Sequence, residues 1–491
     1  MNFLHSLANY QLPVINSQLP QINVMHQAQA PLEFIPPAFN PWLLKASHLL
    51  LPQWIHWKTA ISQIEADNVE ILVDLCRQFQ VGKTRFLIAF RHPQTEDPLC
   101  LSYLFSKLVP TVARQQGIRL ESPIHAHFIY DRGIPLWAGD HIGWLASQLG
   151  GTSIQRGKAD WAGLRSARDL FANGNFPMAA APEGATNGLS GIVNPLEPGI
   201  AQLSFWCAED LHKRGRDEQV FILPVGIEYS YLTPPWEAIA NLLGEMEAVS
   251  GVSGDTNHFD TSALSAELPS AYHSLYPRLL RLSEHLLCLM ENFYTRFYHQ
   301  QLPKPEIVTA ESQNINQAIA TRLNTLLNAV LQIAEQYFNL PNKGNFNDRC
   351  RRVEQGAWNY IFREDFKNLT VLSPLEKALG DRVAEEANLH LWHMRLVESF
   401  VAVTGSYVRE KPTAERFAET TLLIWDMVTR IQGGNPFKRP HLGKQKAKIT
   451  IGEPLSVSAR YSVYSASRRD AKQAVMDLTN DLQQVMEGLI R

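Results

Sequence analysis

Between residues 86 and 229 short apolar runs alternate with longer stretches in which apolar residues recur every three or four positions. FLIAF (86–90), HAHFIYD (125–131), TSIQR (152–156), FPMAAA (176–181) and VFILPVGIEY (220–229) have the length and branching of strands. Between them PLCLSYLFSKLV (98–109), IGWLASQLG (142–150), ADWAGLRSARDLFANG (159–174) and GIAQLSFWCAEDLHKRG (199–215) have helical spacing. Strands separated by helices predict an α/β domain: a mixed, mainly parallel sheet flanked by helices on both faces. After Pro234 and Pro235 the strand signals stop for roughly 200 residues. There Ile315, Ile319, Leu323, Leu327, Val330 and Ala334 recur at helical spacing up to Pro341, and similar patterns fill 272–300, 350–367, 374–408 and 413–432. KITIGEPLSV (448–457) then returns as a lone strand, followed by a helix from about Arg468 to Leu489. A solitary strand needs a partner, so it is assigned to the earlier sheet, which makes the helical block a large all-helical insertion. The expected organisation is a flexible or loosely docked arm (1–38), a core (39–234), the helical insertion (235–440), and a returning strand with a C-terminal helix of the core (441–491).

The arm is rich in Gln, Pro and Asn and carries one charge, Glu33. WLLKASHLLLPQWIHW (42–57) follows, with leucines and tryptophans able to coat a helix up to Pro52. Such a helix either lies in a membrane interface or packs on the protein's own core. Among 491 residues, 45% are hydrophobic and 19% charged, an ordinary globular balance. A net charge of −3 gives no global attraction to nucleic acid, so no nucleic-acid partner is expected. The five cysteines show no metal-ligand spacing and fit a reducing compartment. With no Lys or Arg before Lys45 and no run of about 18 apolar residues, the expectation is a cytoplasmic protein, peripherally membrane-associated.

The first strand ends at Arg91 and His92, and Asp97-Pro98 follows one short loop later, an aspartate placed like an N-cap before a first-turn proline. Beyond the carboxyl end of a strand is where α/β sheets place reactive groups. Asp97 there would hold the imidazole Nδ1 proton and leave Nε2 free to take a proton from a hydroxyl. Further strands deliver Arg156 and Lys158, and Pro182, Glu183 and Gly184; if adjacent, the three strand ends form one cleft with a base, a cation and a polar turn.

These pieces together resemble the glycerolipid acyltransferases of the lysophosphatidate acyltransferase type. RHPQTED (91–97), GTSIQR (151–156), APEGAT (181–186) and ILPVGIEY (222–229) stand in the family's order, with NPLEPGIAQLSF (194–205) and KITIGEPLSV similar to its intervening and late segments. The resemblance covers about residues 86–234 and 448–457. It implies transfer of a fatty acyl chain from an acyl thioester (acyl-CoA or acyl carrier protein) to a hydroxyl of a lysophospholipid-like acceptor, with no cofactor and no covalent enzyme intermediate. It implies His92 as general base, Asp97 as its partner, Arg156 binding acceptor phosphate with Lys158 beside it, and Pro182, Glu183 and Gly184 shaping that pocket. Two departures stand out: Arg91 replaces the family's asparagine, and Ala185 and Thr186 replace the threonine and arginine of its turn. The alternative is a catalytically inactive scaffold of the same type that binds lipid or protein through the helical insertion.

Other signals carry less. VGKT (81–84) lacks the upstream glycine of a phosphate-binding loop, and GLSGI (188–192) is one residue short of a nucleophile elbow. His125 and His127 share a strand face without a third ligand at metal-binding spacing, so no metal is expected. KRPHLGKQKAK (438–448) reads as a solvated basic loop.

Overall fold

The computed structural model describes residues 27–155, 160–252, 269–303, 315–368, 370–400 and 406–490. Helix α1 (Pro41–Lys58) leads into strand β1 (Ile61–Asp67), α2 (Val69–Gln80) and β2 (Thr84–Phe90). Helix α3 (Asp97–Tyr103) continues through a π turn into α4 (Val109–Gln115). Then come β3 (His127–Asp131), α5 (Ile134–Ala138), α6 (Asp140–Gln148), β4 (Thr152–Ile154), α7 (Trp161–Asn173), β5 (Met178–Ala180), α8 (Gly199–Lys213) and β6 (Gln219–Tyr231). The sheet order is β1-β7-β6-β2-β5-β3-β4, where β7 is Gln445–Ile451. Strands β6, β2, β5, β3 and β4 run parallel; β7 is antiparallel to β6, and β1 is parallel to β7.

The α/β expectation holds, and burial explains it. Strand β2 is hidden on both faces: Phe86, Ile88 and Phe90 pack with α1 to α4, while Leu87 and Ala89 pack with α7 and α8. A strand covered on both sides reads as a continuous apolar run, which is what FLIAF is. Strand β1, by contrast, sits at the edge with mostly exposed alternate positions, and its sequence ISQIEAD shows no such run. The sheet therefore starts near Ile61, earlier than the apolar pattern predicts.

Strand β7 takes its place between β1 and β6, pairing Ile449 with Ile227 and with Ala66. The chain then pairs Leu455 with Ile222 through β8 (Leu455–Ser456) and finishes in the helices Tyr461–Ala466 and Arg468–Gly488, the second packed on the sheet face that α8 covers. The returning strand thus joins the first sheet as expected, in two short segments. The helical block springs from the β6–β7 hairpin, whose mouth is closed by Leu232 N–H donating to the Lys444 carbonyl at 2.9 Å. Its helices are α9 (Trp236–Ser250), α10 (Ser270–Phe297), α11 (Ile315–Tyr337), α12 (Phe346–Ile361), α13 (Pro374–Glu398), α14 (Tyr407–Glu410) and α15 (Ala414–Ile431). They build two apolar cores of their own.

Two expectations are sharpened. Of the arm expected to be flexible or loosely docked, residues 27–38 are docked: Gln29 bridges Phe362 of the helical block, while Ile35 N–H reaches Ser153 Oγ at 3.2 Å and Ala38 N–H reaches the Ser147 carbonyl at 2.9 Å. The segment's backbone groups find partners on both halves of the molecule, which offsets the entropy of ordering it. Helix α1 passes straight through Pro52, because Leu51 and Ile55 on either side of the proline are buried on the core and that packing offsets the missing hydrogen bond.

Burial also separates two neighbours on β7. Ile449 is fully buried, whereas Lys448 pairs with Asp67 at 2.9 Å on the surface. Ile449→Ala should lower unfolding stability by about 2–5 kcal/mol and Lys448→Ala by less than about 1 kcal/mol in urea unfolding. Equal small effects would show that β7 contributes little to the sheet.

Candidate active site

The chain leaves β2 at Phe90, and the two residues that follow turn in opposite directions. Arg91 points inward and is fully buried, donating through Nη1 to the Ser190 carbonyl at 2.6 Å, through Nη2 to the carbonyls of Leu189 (3.0 Å) and Ile192 (2.5 Å), and through Nε to Glu183 Oε1 (3.3 Å). His92 lies at the surface edge of the sheet, its side chain 22% exposed, with Phe90 packed edge-on beside it. Its Nδ1 lies 3.0 Å from Asp97 Oδ2. A carboxylate there accepts the Nδ1 proton, so the lone pair is on Nε2, which has no partner among the described residues.

Asp97 opens α3, but its carboxylate is not a helix cap. It turns back, accepting the Gln94 N–H at 2.9 Å through Oδ2 and the Tyr229 hydroxyl at 2.5 Å through Oδ1. The reason is local: the loop brings Gln94 N–H and His92 to one side of the carboxylate, and both compete successfully with the free amides of the helix end. Asp97 is fully buried. Burial pushes its carboxyl above the ordinary range, and the hydrogen bonds from His92, Tyr229 and Gln94 pull it back only in part.

Tyr229 is the member that sequence reasoning missed. On β6, Val225, Ile227 and Tyr229 face the same core as Phe90 and Leu101. β2 ends opposite Val225, so Tyr229 projects past it and covers Asp97. Its hydroxyl also lies 3.5 Å from Cys100 Sγ. A tyrosine closing an otherwise apolar strand face was the available signal, because a buried phenol needs a partner.

The turn after β5 abuts this dyad because β5 is the neighbour of β2. Glu183 is buried and saturated: Oε1 accepts the His92 N–H at 3.1 Å and Oε2 accepts the Asn194 N–H at 2.9 Å and Asn187 Nδ2 at 3.2 Å. It positions the backbone of His92. Pro182 is buried, and its carbonyl takes the Glu197 N–H at 2.8 Å. Gly184 has φ +73°, and any side chain there would collide with Glu197.

The third strand end is not adjacent, since β3 lies between β5 and β4. Three strand spacings put the end of β4 roughly 14 Å from that of β2. Arg156 and Lys158 lie outside the described residues; Gln155 N–H and Arg132 both bind the Asp160 carboxylate. Arg91, fully buried and bonded to Glu183 and the loop at 189–192, presents no surface to a substrate.

His125 and His127 donate to the carbonyls of Leu149 and Gly150 at 2.9 and 2.8 Å. Burial lowers both imidazoles, His125 to about 3. They are neutral core residues, and no cluster of metal-ligating side chains occurs among the described residues. No protein-family model matches the chain, and no curated protein matches it.

The position of Asp97 has a measurable consequence. A carboxyl raised by burial binds protons more tightly folded than unfolded, so its contribution falls as pH rises from the ordinary aspartate value of 3.8 through the folded value. Asp97→Asn should therefore raise the thermal midpoint at pH 7 to 8, with the gain shrinking towards zero as pH falls to about 3.8. An unchanged or lower midpoint at neutral pH would mean that the three donors fully offset the burial.

Proposed function

We propose that this protein is an acyltransferase that moves a fatty acyl chain from an acyl thioester, carried by coenzyme A or acyl carrier protein, to a hydroxyl of a lysophosphatidate-like glycerolipid. The observation that carries the reading is the His92–Asp97–Tyr229 chain, a base with one nitrogen held by a buried carboxylate and the other open. Membership of the glycerolipid acyltransferase family is part of the same proposal and is supported by the order of the four motifs along the chain.

In this mechanism His92 Nε2 takes the proton of the acceptor hydroxyl as its oxygen attacks the thioester carbonyl. Asp97 stabilises the imidazolium that forms. The tetrahedral intermediate collapses by expelling the thiolate, which takes the proton back from His92, so the base is regenerated and no acyl-enzyme forms. Arg156 and Lys158 are assigned to the acceptor's phosphate. Glu183 acts indirectly, by holding His92's amide. Incubation with labelled acyl thioesters and a panel of lysolipids tests the activity. His92→Ala should lower turnover by about 100-fold or more with the fold intact. Activity within a few-fold of wild type would remove the mechanism, and no turnover by wild type on any pair would favour the scaffold alternative.

The acceptor is a lipid, so the enzyme is assigned to the cytoplasmic surface of a membrane. No helix among the described residues is long and apolar enough to cross one. Support for peripheral binding comes from α1, which has two apolar faces: Leu44, Leu51 and Ile55 are buried on the core, while Trp42, Leu49, Leu50, Trp54 and Trp57 face outward. Trp42 and Trp57 are 78% and 76% exposed, so they join no core among the described residues. Flotation with anionic liposomes should recover wild type and lose most of Trp42→Ala/Trp54→Ala, with unfolding midpoints nearly equal. Equal flotation of both would remove α1 as the contact.

A further inference from the structure

Asp97 accepts through both carboxylate oxygens, and the two are not served alike. Oδ2 has two donors, the His92 ring nitrogen at 3.0 Å and the Gln94 N–H at 2.9 Å, both from its own loop. Oδ1 has one, the Tyr229 hydroxyl at 2.5 Å, which comes from another strand. No lysine or arginine pairs with this buried carboxylate among the described residues. The titratable groups that face it are His92, Tyr229 and, behind the tyrosine, Cys100. The phenol is held as firmly as the acid. Past Val225 strand β6 has left β2 behind and is paired by β7, with the buried Tyr229 opposite Ala447. Its hydroxyl has one proton to give, and Cys100 Sγ at 3.5 Å is a far weaker acceptor than a carboxylate, so the proton goes to Asp97 and the thiol donates to the phenol oxygen.

We propose that Tyr229 is a positioning residue for His92: its hydroxyl holds the negative charge on Asp97, which keeps the proton between the two residues on Nδ1 and leaves Nε2 open. Burial drives the Asp97 carboxyl towards its neutral form, and each donor opposes it. Without the phenol, Oδ1 is a buried acceptor with nothing to accept, and a proton added to the pair lands on Oδ2. The neutral acid then donates to Nδ1, and the one proton of the imidazole sits on Nε2, the nitrogen that has to accept. With the phenol in place the same added proton gives an imidazolium beside a carboxylate, the state through which a base of this kind passes. The strand that carries the tyrosine thus selects the tautomer of a histidine on its neighbour. That Nε2 takes its proton from an acyl acceptor rests on the acyl-transfer reading; the placement of the proton on the ring does not.

Two measurements on the full chain test this, one with turnover and one without. Tyr229→Phe should raise the pH below which turnover falls by about one unit or more, a loss of about tenfold below that limb, while turnover above it stays within a few-fold of wild type. Imidazole nitrogen NMR of histidine-labelled protein, with the His92 signals assigned by their absence in His92→Ala, reads the ring directly. As pH falls, wild type should pass from a ring protonated on Nδ1 alone to a doubly protonated ring, whereas Tyr229→Phe should pass through a ring protonated on Nε2 alone. A ring-fluorinated tyrosine at position 229 keeps the side chain's shape and is a stronger donor, so it should lower the same limb, and it protects the test if Tyr229→Phe unfolds. A limb that either change leaves in place overturns the proposal. So does a loss equal at every pH with the ring proton unmoved, the mark of a tyrosine that only supports the fold. A ring proton that depends on Tyr229 in a protein that transfers no acyl chain upholds the proposal while the acyl-transfer reading fails. Acyl transfer by a protein whose His92 ring is indifferent to Tyr229 does the reverse.

Discussion

The site hangs on one buried ion pair. Arg91 and Glu183 have no exposed side-chain surface, and removing two charges from water costs several kcal/mol each unless the surroundings satisfy them completely. Here they do: the guanidinium finds three carbonyls of the loop at 189–192 besides Glu183, and the carboxylate finds two backbone amides and the Asn187 amide. Such a pair tolerates only one conformation of its partners, because losing any of them leaves a buried charge uncompensated. The constraint reaches His92 directly, since one of those amides is its own. Arg91 is therefore a structural solution at a position where the resembling family carries asparagine.

The same loop is the place where the helical block meets the sheet domain. On its far side Ser190 N–H donates to Glu419 of α15 at 2.9 Å, Gly191 N–H reaches the Tyr407 hydroxyl at 3.2 Å, and that hydroxyl donates to Glu419 at 2.6 Å. Burial raises the Glu419 carboxyl, and the hydrogen bonds from Tyr407 and Ser190, with the charge of Arg91 behind them, partly offset this. The insertion can reach this far because it leaves and rejoins the sheet at neighbouring points, and closing a loop of that length costs only logarithmically more than closing a short one. A helical block docked on its own loop in this way is part of the site's construction.

Much of this was legible in the chain and some was not, for physical reasons. Strands buried on both faces, such as β2 and β6, declare themselves by continuous apolar runs, and the helical block declares itself by period. The dyad was legible because His92 and Asp97 are close in sequence and lie just past a strand end. Edge strand β1 was not, since one solvated face dilutes its pattern. Nor were contacts made across long sequence separations: Tyr229 stands 132 residues from Asp97, and Arg351 stands 154 from Glu197. Local pattern carries no information about such pairs; only the strand order and the docking of α12 create them. The role of Arg91 was hidden for the same reason, as its partners lie about a hundred residues downstream.

Helix α1 joins these strands of the argument. Leu51 and Ile55 of α1 share one apolar core with Cys100 and Leu101 of α3, the helix that Asp97 begins. The outward face of α1 carries Trp42, Leu49, Leu50, Trp54 and Trp57 among Lys45, Gln53, His56 and Lys58, and apolar side chains left in water have no stabilising role in the isolated chain. Whatever surface accepts that face is held at a fixed offset from Asp97, because α1 and α3 pack as one rigid layer on the sheet. On the proposed function that surface is a lipid membrane, and its offset from Asp97 is its offset from the proposed base. A core of ordinary size then does two things at once: it stabilises the sheet, and it fixes where the outward face of α1 stands relative to the His92–Asp97 pair.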